Sequence, residues 1–263
     1  MSRELDMTGK VAIVTGGSRG IGLGVARRFL AAGAEVLICG RHEPAAPPEA
    51  GGRRARFVAA DVREPDGVER VVAAAVDAWG RVDVLVNNAG GSPMKDAATA
   101  SPRFSAAIIQ LNLTAPLWLA QRANAIMQEQ TEGGAIINVA SVSGTRPSPG
   151  TAAYGAAKAG LINLTQTLAV EWAPKVRVNA VVAGPVRTEQ AEAHYGDAAG
   201  IAAVAATIPM GRMGAPDDVA GVCLFLASPL AAWVSGAAVV AHGGGEWPQF
   251  LTAVARSRGE VDA

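Results

Sequence analysis

Three side chains have the types and spacing to move a proton to or from an oxygen: Ser141, Tyr154 and Lys158. The apolar run AIINVA before Ser141 reads as a buried strand, and after Thr151 the residues Leu161, Leu164, Leu168 and Trp172 recur at helical spacing. The serine therefore stands at a strand's end, while the tyrosine and lysine share a helix. Four residues apart, they lie on one helical face with Cβ atoms about 5 to 6 Å from each other. A free phenol titrates near ~10, too high for an acid or base at neutrality, and a neighbouring ammonium is expected to pull that value down. Such a pair is also an ordinary surface arrangement. The chemical reading gains from the small residues around it, Ala152, Ala153, Gly155, Ala156, Ala157, Ala159 and Gly160, which suggest a groove for a flat ligand.

The elements that must position this stretch alternate along the chain. KVAIVT (Lys10 to Thr15) leads into TGGSRGIG and then a helical pattern closed by Gly33, giving strand, glycine turn and helix. Gly16, Gly20 and Gly22 let the backbone approach a pyrophosphate, with the N–H groups of the helix N-terminus facing the anion. A second strand, EVLIC, ends at Gly40 and Arg41, where an NAD site places a carboxylate for the ribose hydroxyls. Arg41 stands there instead, with Arg19 inside the glycine turn. Two guanidinium groups suit a 2′-phosphate, which favours NADP(H) over NAD(H), although either arginine also reads as a solvated surface residue.

Prolines and glycines in residues 42–54 exclude a long helix there, leaving a loop or clipped turn. RFVAA is a strand ending at Asp61 and Val62, and Pro65 opens a helix that runs to about Trp79. VDVLVNNAG is the next strand, whose terminal Asn87 and Asn88 can tie neighbouring strands together. Residues 91–101 form a polar loop expected to border substrate. The long helical pattern of residues 102–130 contains Asn112, unfavourable in an apolar helix unless bonded, with Pro116 just after it. VRVNAVV is another strand, followed by AGPVRT. Residues 189–209 are alanine-rich and weakly patterned, and read as a surface helix or a partly disordered loop. A capped amphipathic helix (GAPDDVAGVCLFLAS) and a last strand (GAAVVAHGGGEW) complete the pattern.

This alternation predicts an open, mainly parallel sheet of about seven strands with helices on both faces. At 263 residues the chain suits one dinucleotide-binding and catalytic domain, residues 1–263, with a C-terminal tail at 246–263. The formal net charge is zero, which argues against nucleic-acid or membrane-surface partners. Cys39 and Cys223 lie far apart in apolar segments and read as buried free thiols in a reducing compartment, with no metal cluster. The polar N-terminus and the lack of an uncharged apolar run of about 18 residues point to the cytoplasm.

TGxxxGxG from Thr15 to Gly22, NNAG from Asn87 to Gly90, and Ser141, Tyr154 and Lys158 together resemble the short-chain dehydrogenase/reductase family. The resemblance spans Lys10 to Gly245. It implies a Rossmann-like, doubly wound, three-layer fold with a seven-stranded sheet. Tyr154 is then the general acid/base, Lys158 lowers its pKa and holds the nicotinamide ribose, and Ser141 positions the substrate oxygen. Asn112 bends its helix and holds a water linking Lys158 to solvent. Cofactor contacts fall on Thr15, Gly16, Ser18, Arg19, Gly20, Ile21, Gly22, Arg41, Asp61, Val62, Asn88, Ala89 and Gly90, besides Tyr154 and Lys158. Gly184, Val186 and Thr188 hold the nicotinamide amide, although Ala183 replaces the usual proline. The resemblance also makes residues 189–209 a lid over the substrate, while His242 stands where aspartate is common and receives no role.

The implied function is NADP(H)-dependent interconversion of a ketone and a secondary alcohol, with a small carbonyl or alcohol compound as substrate. A non-catalytic dinucleotide sensor and an NAD-preferring alcohol dehydrogenase of the same fold are the alternatives. A sugar-nucleotide epimerase or dehydratase is disfavoured by the absent C-terminal substrate domain. The family resemblance, with an apparent apolar surplus at Leu117, Leu119, Ala120, Leu161, Leu164 and Leu168, suggests a homotetramer.

Overall fold

In the computed structural model, which describes residues 3–259, seven strands form one sheet: β1 (Val11–Thr15), β2 (Glu35–Gly40), β3 (Arg56–Ala59), β4 (Val84–Asn87), β5 (Gly134–Ser141), β6 (Val176–Ala183) and β7 (Ala238–Ala241). Their order is β3-β2-β1-β4-β5-β6-β7, and every pairing between them is parallel. The helices are α1 (Gly20–Ala31), α2 (Pro65–Trp79), α3 (Pro102–Ile109), α4 (Ala115–Glu129), α5 (Ala152–Trp172), α6 (Ala191–Tyr195), α7 (Ala198–Ala206), α8 (Pro216–Ala227) and α9 (Gln249–Ser257). None of those described is long and apolar enough to cross a membrane.

The strands are apolar on both sides, so both faces of the sheet must be covered. Along β1, Ala12 and Val14 join a core cluster with residues of α1 and α8, whereas Val11 and Ile13 join one with residues of α2, α4 and α5. This is the doubly wound, three-layer Rossmann arrangement expected from the alternating pattern. After β3 the chain returns to the centre and adds β4 on the other side of β1, which opens a crevice at the strands' C-terminal ends.

Three segments depart from the simplest reading of the sequence. Residues 42–54 close into a small hairpin, Glu49–Ala50 against Arg53–Arg54, turned by Gly51 and Gly52 at φ of 59° and 72°. Two successive left-handed residues are what a two-residue hairpin turn requires. The segment after β6 folds as α6 and α7 around its own cluster of Ala191, Ile201, Ile208 and Met213, with Asp197 accepting from Ala199 N and Gly200 N to cap α7. The leucines cited as an interface surplus belong to the chain's own interior. Leu119, Ala120, Leu161 and Leu168 are buried, and Leu117 and Leu164 pack partly buried against the same core.

A polar network crosses the sheet where β4 meets β5. Asn87 Nδ2 donates to Asn138 Oδ1 at 2.9 Å and to the Pro116 carbonyl at 3.1 Å, and Asn138 Nδ2 donates to Thr165 Oγ1 at 2.9 Å. All three polar side chains are buried. Replacing Asn138 with alanine strands partners on both sides, at an expected cost of about 1 to 3 kcal/mol. Urea unfolding checks this: the midpoint should fall with the m value unchanged.

Candidate active site

The crevice beside β1 opens into a cleft of about 880 Å³. At one end lies the glycine turn. A Cβ on Gly16 (φ 64°) would stand 3.2 Å from both Ala89 Cα and Asn88 Nδ2, and one on Gly22 would stand 2.3 Å from the Gly16 carbonyl oxygen. The turn, α1 and the end of β4 therefore touch backbone to backbone. Thr15 Oγ1 accepts from Asn88 N and Ala89 N, each at 2.9 Å, while Asn88 Nδ2 donates to the Thr15 carbonyl at 2.9 Å. Helix α1 starts with neither a side-chain cap nor an acid in its first turn. Its N-terminal donors thus lack a partner from their own helix, as an anion site requires. One of them, Gly20 N, donates instead to Glu189 Oε2 at 3.0 Å.

Basic side chains gather at the far end of this half of the cleft. Arg19, Arg41 and His42 line it, all exposed. Arg63 lines it too but is engaged: its Nε donates to both oxygens of Asp61, at 2.9 and 3.1 Å. That hydrogen bond is the main reason the Asp61 carboxyl lies below its usual range.

At the other end stand Ser141, Tyr154 and Lys158. Strand β5 delivers Ser141 at its last residue, and the first two turns of α5 carry Tyr154 and Lys158. The small residues of α5 serve a purpose other than the expected ligand groove. A Cβ on Gly155 would lie 2.9 Å from the Ser143 carbonyl oxygen, and one on Gly144 would lie 2.7 Å from Ala159 N. They seat the turn that follows Ser141, so close approach of backbone fixes the serine relative to the tyrosine.

Lys158 is 3% exposed, and its Nζ donates to the Val139 carbonyl at 2.7 Å. Burial alone lowers its ammonium from 10.5 to about 8. Its Nζ sits 5.6 Å from the centroid of the Tyr154 ring. The expected drop in the tyrosine's value is overturned in this state: burial pushes the Tyr154 phenol up, and a hydrogen bond with Ser141 opposes it. Taking a phenolate out of water outweighs that bond, and the ammonium that would offset the cost is directed at Val139.

Asn112 is buried in a π-helical turn, Gln110–Thr114, between α3 and α4. Its Nδ2 donates to the Ile108 and Gly91 carbonyls at 2.9 and 3.0 Å, and its Oδ1 accepts from Gly91 N at 2.9 Å. The side chain thus clamps the loop after β4. It also meets the lysine through Gly90, where a Cβ would lie 2.6 Å from Asn112 Oδ1 and 3.4 Å from Lys158 Nζ.

Almost every residue singled out from the sequence lines this one cleft. Thr15, Gly22 and Asn112 do not; they are buried behind it and hold its walls. Gly184, Val186 and Thr188 line it as well, and His242 acquires a packing role, since a Cβ on Gly184 would lie 2.6 Å from His242 Cβ. Sequence reasoning missed Arg63, Glu189 and Tyr195. Each left a signal: an arginine two residues after Asp61, an acid directly after Thr188, and the chain's only other tyrosine, set in the lid.

Comparison with known proteins agrees with this geometry. A family profile described as enoyl-(acyl carrier protein) reductase matches residues 16–246. A solved short-chain type dehydrogenase/reductase from Mycobacterium marinum superposes with a TM-score of 0.84 at 33% identity, covering 93% of this chain and 98% of the other. The chain belongs to the short-chain dehydrogenase/reductase family. Among its relatives in that family, the L-rhamnose 1-dehydrogenase (NAD(P)(+)) of Azotobacter vinelandii is 38% identical over 245 residues, 89% of this chain and 96% of the other. The 3beta-hydroxysteroid dehydrogenase 1 of Eggerthella lenta is 37% identical over 246 residues, 91% and 94% of the two chains. Short-chain dehydrogenases/reductases are NAD(P)-dependent oxidoreductases, and the chain is one of these enzymes.

The buried lysine yields a test of the site that needs no substrate. Between about pH 8 and 10.5 the folded chain holds fewer protons on Lys158 than the unfolded chain. Stability therefore rises with pH across that window, and the full cost of the buried charge is present below it. Lys158→Met should raise stability at pH 7 by about 3 to 4 kcal/mol, the value of the fall from 10.5 to about 8 at 1.36 kcal/mol per unit, and the gain should shrink from pH 8 upward. Urea unfolding of both proteins at several pH values checks the sign; a variant less stable than wild type at pH 7 would refute it.

Proposed function

We propose that this enzyme is NADP(H)-dependent and interconverts a ketone and a secondary alcohol, with Tyr154 as general acid/base. The observation that carries the reading is the convergence of Ser141, Tyr154 and Lys158 in the same cleft as an uncapped helix N-terminus behind a glycine turn. The glycine turn and α1 N-terminus fit the pyrophosphate, Asp61 and Val62 the adenine, Asn88 to Gly90 the underside, and Gly184, Val186 and Thr188 the nicotinamide amide. The nicotinamide supplies or accepts the hydride. In reduction, Ser141 donates a hydrogen bond to the carbonyl oxygen and Tyr154 delivers the proton to it. In oxidation Tyr154 takes that proton back. A phenol pushed up by burial is protonated at neutrality and ready to donate. With its value near 8, Lys158 is mostly an ammonium at pH 7, able to hold ribose hydroxyls and to steady negative charge on the tyrosine.

Arg19 and Arg41 support the preference for NADP(H). They line the ribose end without an ion pair among the described residues, whereas Arg63 is committed to Asp61. An NAD-preferring enzyme is the second reading, because the rhamnose dehydrogenase relative bears both cofactors in its name. A non-catalytic sensor is disfavoured because Ser141 stands with Tyr154 and Lys158 in the cleft, and a protein that only binds dinucleotide has no use for a serine placed to meet a substrate oxygen. We also propose that residues 1–263 act as one cytoplasmic domain, with residues 189–209 as the lid, without nucleic-acid or membrane partners. Exposed Val170, Trp233 and Phe250 supply apolar surface for a homotetramer.

Tyr154→Phe keeps the ring and removes the proton, so turnover should fall by about 10² to 10⁴. Fluorescence titration of the same variant should show NADPH bound as in wild type and more tightly than NADH. Near wild-type turnover would end the catalytic assignment, and equal affinity for the two cofactors would end the NADP(H) preference.

Glu189 places a carboxylate on Gly20 N, where the pyrophosphate must sit. One like charge about 4 Å away in water costs roughly 1 kcal/mol. Glu189→Gln should therefore tighten NADPH binding about fivefold, measured by the same titration; unchanged or weaker binding would show that the acid leaves at no cost.

A further inference from the structure

Beyond Tyr154 the cleft is walled by the loop after β4, the turn after Ser141 and the lid. From these three segments Ser92, Ser143, Thr151, Gln190, His194 and Tyr195 line the cleft, against Ala89 and Pro93 as their apolar side chains. An acyl chain or a steroid binds by leaving water for a continuous apolar wall. In these segments hydroxyls, an amide and an imidazole outnumber the apolar groups.

Tyr195 is placed to use that polarity. Its ring packs against the lid's own cluster, beside Ile201, Ile208 and Met213, and meets His194 edge-on at 6.2 Å between centroids. Its hydroxyl lies within electrostatic reach of Tyr154, Glu246 and Arg146. Arg146 and Glu246 form an ion pair that joins the turn after Ser141 to the tail. Among the described residues the Tyr195 hydroxyl has no hydrogen-bond partner, although the residue is largely withdrawn from water. A half-buried phenol anchored by its ring and unpaired at its oxygen is a group that a ligand can satisfy.

We propose that the substrate is a polyhydroxylated carbonyl compound or its alcohol, such as a sugar, and that Tyr195 determines this specificity. Tyr195 hydrogen-bonds a substrate oxygen other than the one that exchanges its proton with Tyr154. The proposal rests on the oxidoreductase reading. It goes further in naming the substrate class and a residue that selects it. Ser143, Thr151, Gln190 and His194 offer partners for the remaining hydroxyls. In the oxidative direction Tyr154, as phenolate, would take the proton of one ring hydroxyl, and bound NADP+ would supply the hydride acceptor for the carbon that bears it, while the other hydroxyls keep their protons.

The test assays wild type and Tyr195→Phe with NADP+ and NAD+ on L-rhamnose, D-glucose, D-xylose, cyclohexanol and a 3β-hydroxysteroid. Wild type should show a higher kcat/KM on at least one sugar than on cyclohexanol or the steroid. In Tyr195→Phe the ratio of sugar to cyclohexanol kcat/KM should fall about 3- to 10-fold, the value of one neutral hydrogen bond, mainly through KM for the sugar. NADPH affinity, read by fluorescence, should follow wild type. A preference for cyclohexanol or the steroid, no turnover on any sugar, or an equal fall on sugar and cyclohexanol would overturn the proposal. Loss of NADPH binding by the wild type would instead overturn the oxidoreductase reading beneath it.

Discussion

One ammonium, closed away from water and held by a single backbone carbonyl, sets the terms for the site. Lys158 cannot be solvated where it lies, so its surroundings have to keep the charge available at neutral pH and yet leave its face towards the cleft open. Strand β5 meets the first need with the Val139 carbonyl. The second depends on Gly90, because any side chain at that position would strike Asn112 and crowd the lysine. Asn112 in turn reaches Gly91 from a π-helical turn that breaks the register between α3 and α4. A local irregularity in one helix, a glycine in a loop and a carbonyl at the sheet's end are thus parts of one arrangement.

The same reasoning shows why some features were legible in the sequence. Strand and helix periods depend on neighbours a few residues away, and so do the glycine turn and the strand ends at Asn87 and Ser141. Those features held. Misreadings arose where distant segments decide the outcome. Leu119, Leu161 and Leu168 look like a surplus on isolated helices, but α4 and α5 both pack on the sheet and use them. Gly155 and Ala159 look like a ligand groove until the turn after Ser141 is laid against them. The shift of Tyr154 follows from its burial, a property of the assembled cleft that spacing along α5 does not contain.

Arginine chemistry at the ribose end makes a similar point. Arg19, Arg41 and Arg63 look alike in the sequence, yet only Arg63 is neutralised, by the acid two residues before it. Asp61 therefore holds Arg63 in place as part of the wall, and among the described residues Arg19 and Arg41 form no ion pair, although Arg41 lies within electrostatic reach of Asp61. A carboxylate at the end of β2, in place of Arg41, would have reversed that balance and supplied an acceptor for ribose hydroxyls.

The lid connects these regions. Within seven residues the chain passes from Thr188, whose methyl group lies against Gly20, through Glu189 on the α1 N-terminus, to Tyr195 beside Tyr154. Helix α6 is only five residues long, and it shares a small apolar cluster with α7. A phosphate arriving at α1 must displace the Glu189 carboxylate, because both need the same N–H groups and carry the same sign of charge. The displaced acid is joined through α6 to the phenol at the substrate end.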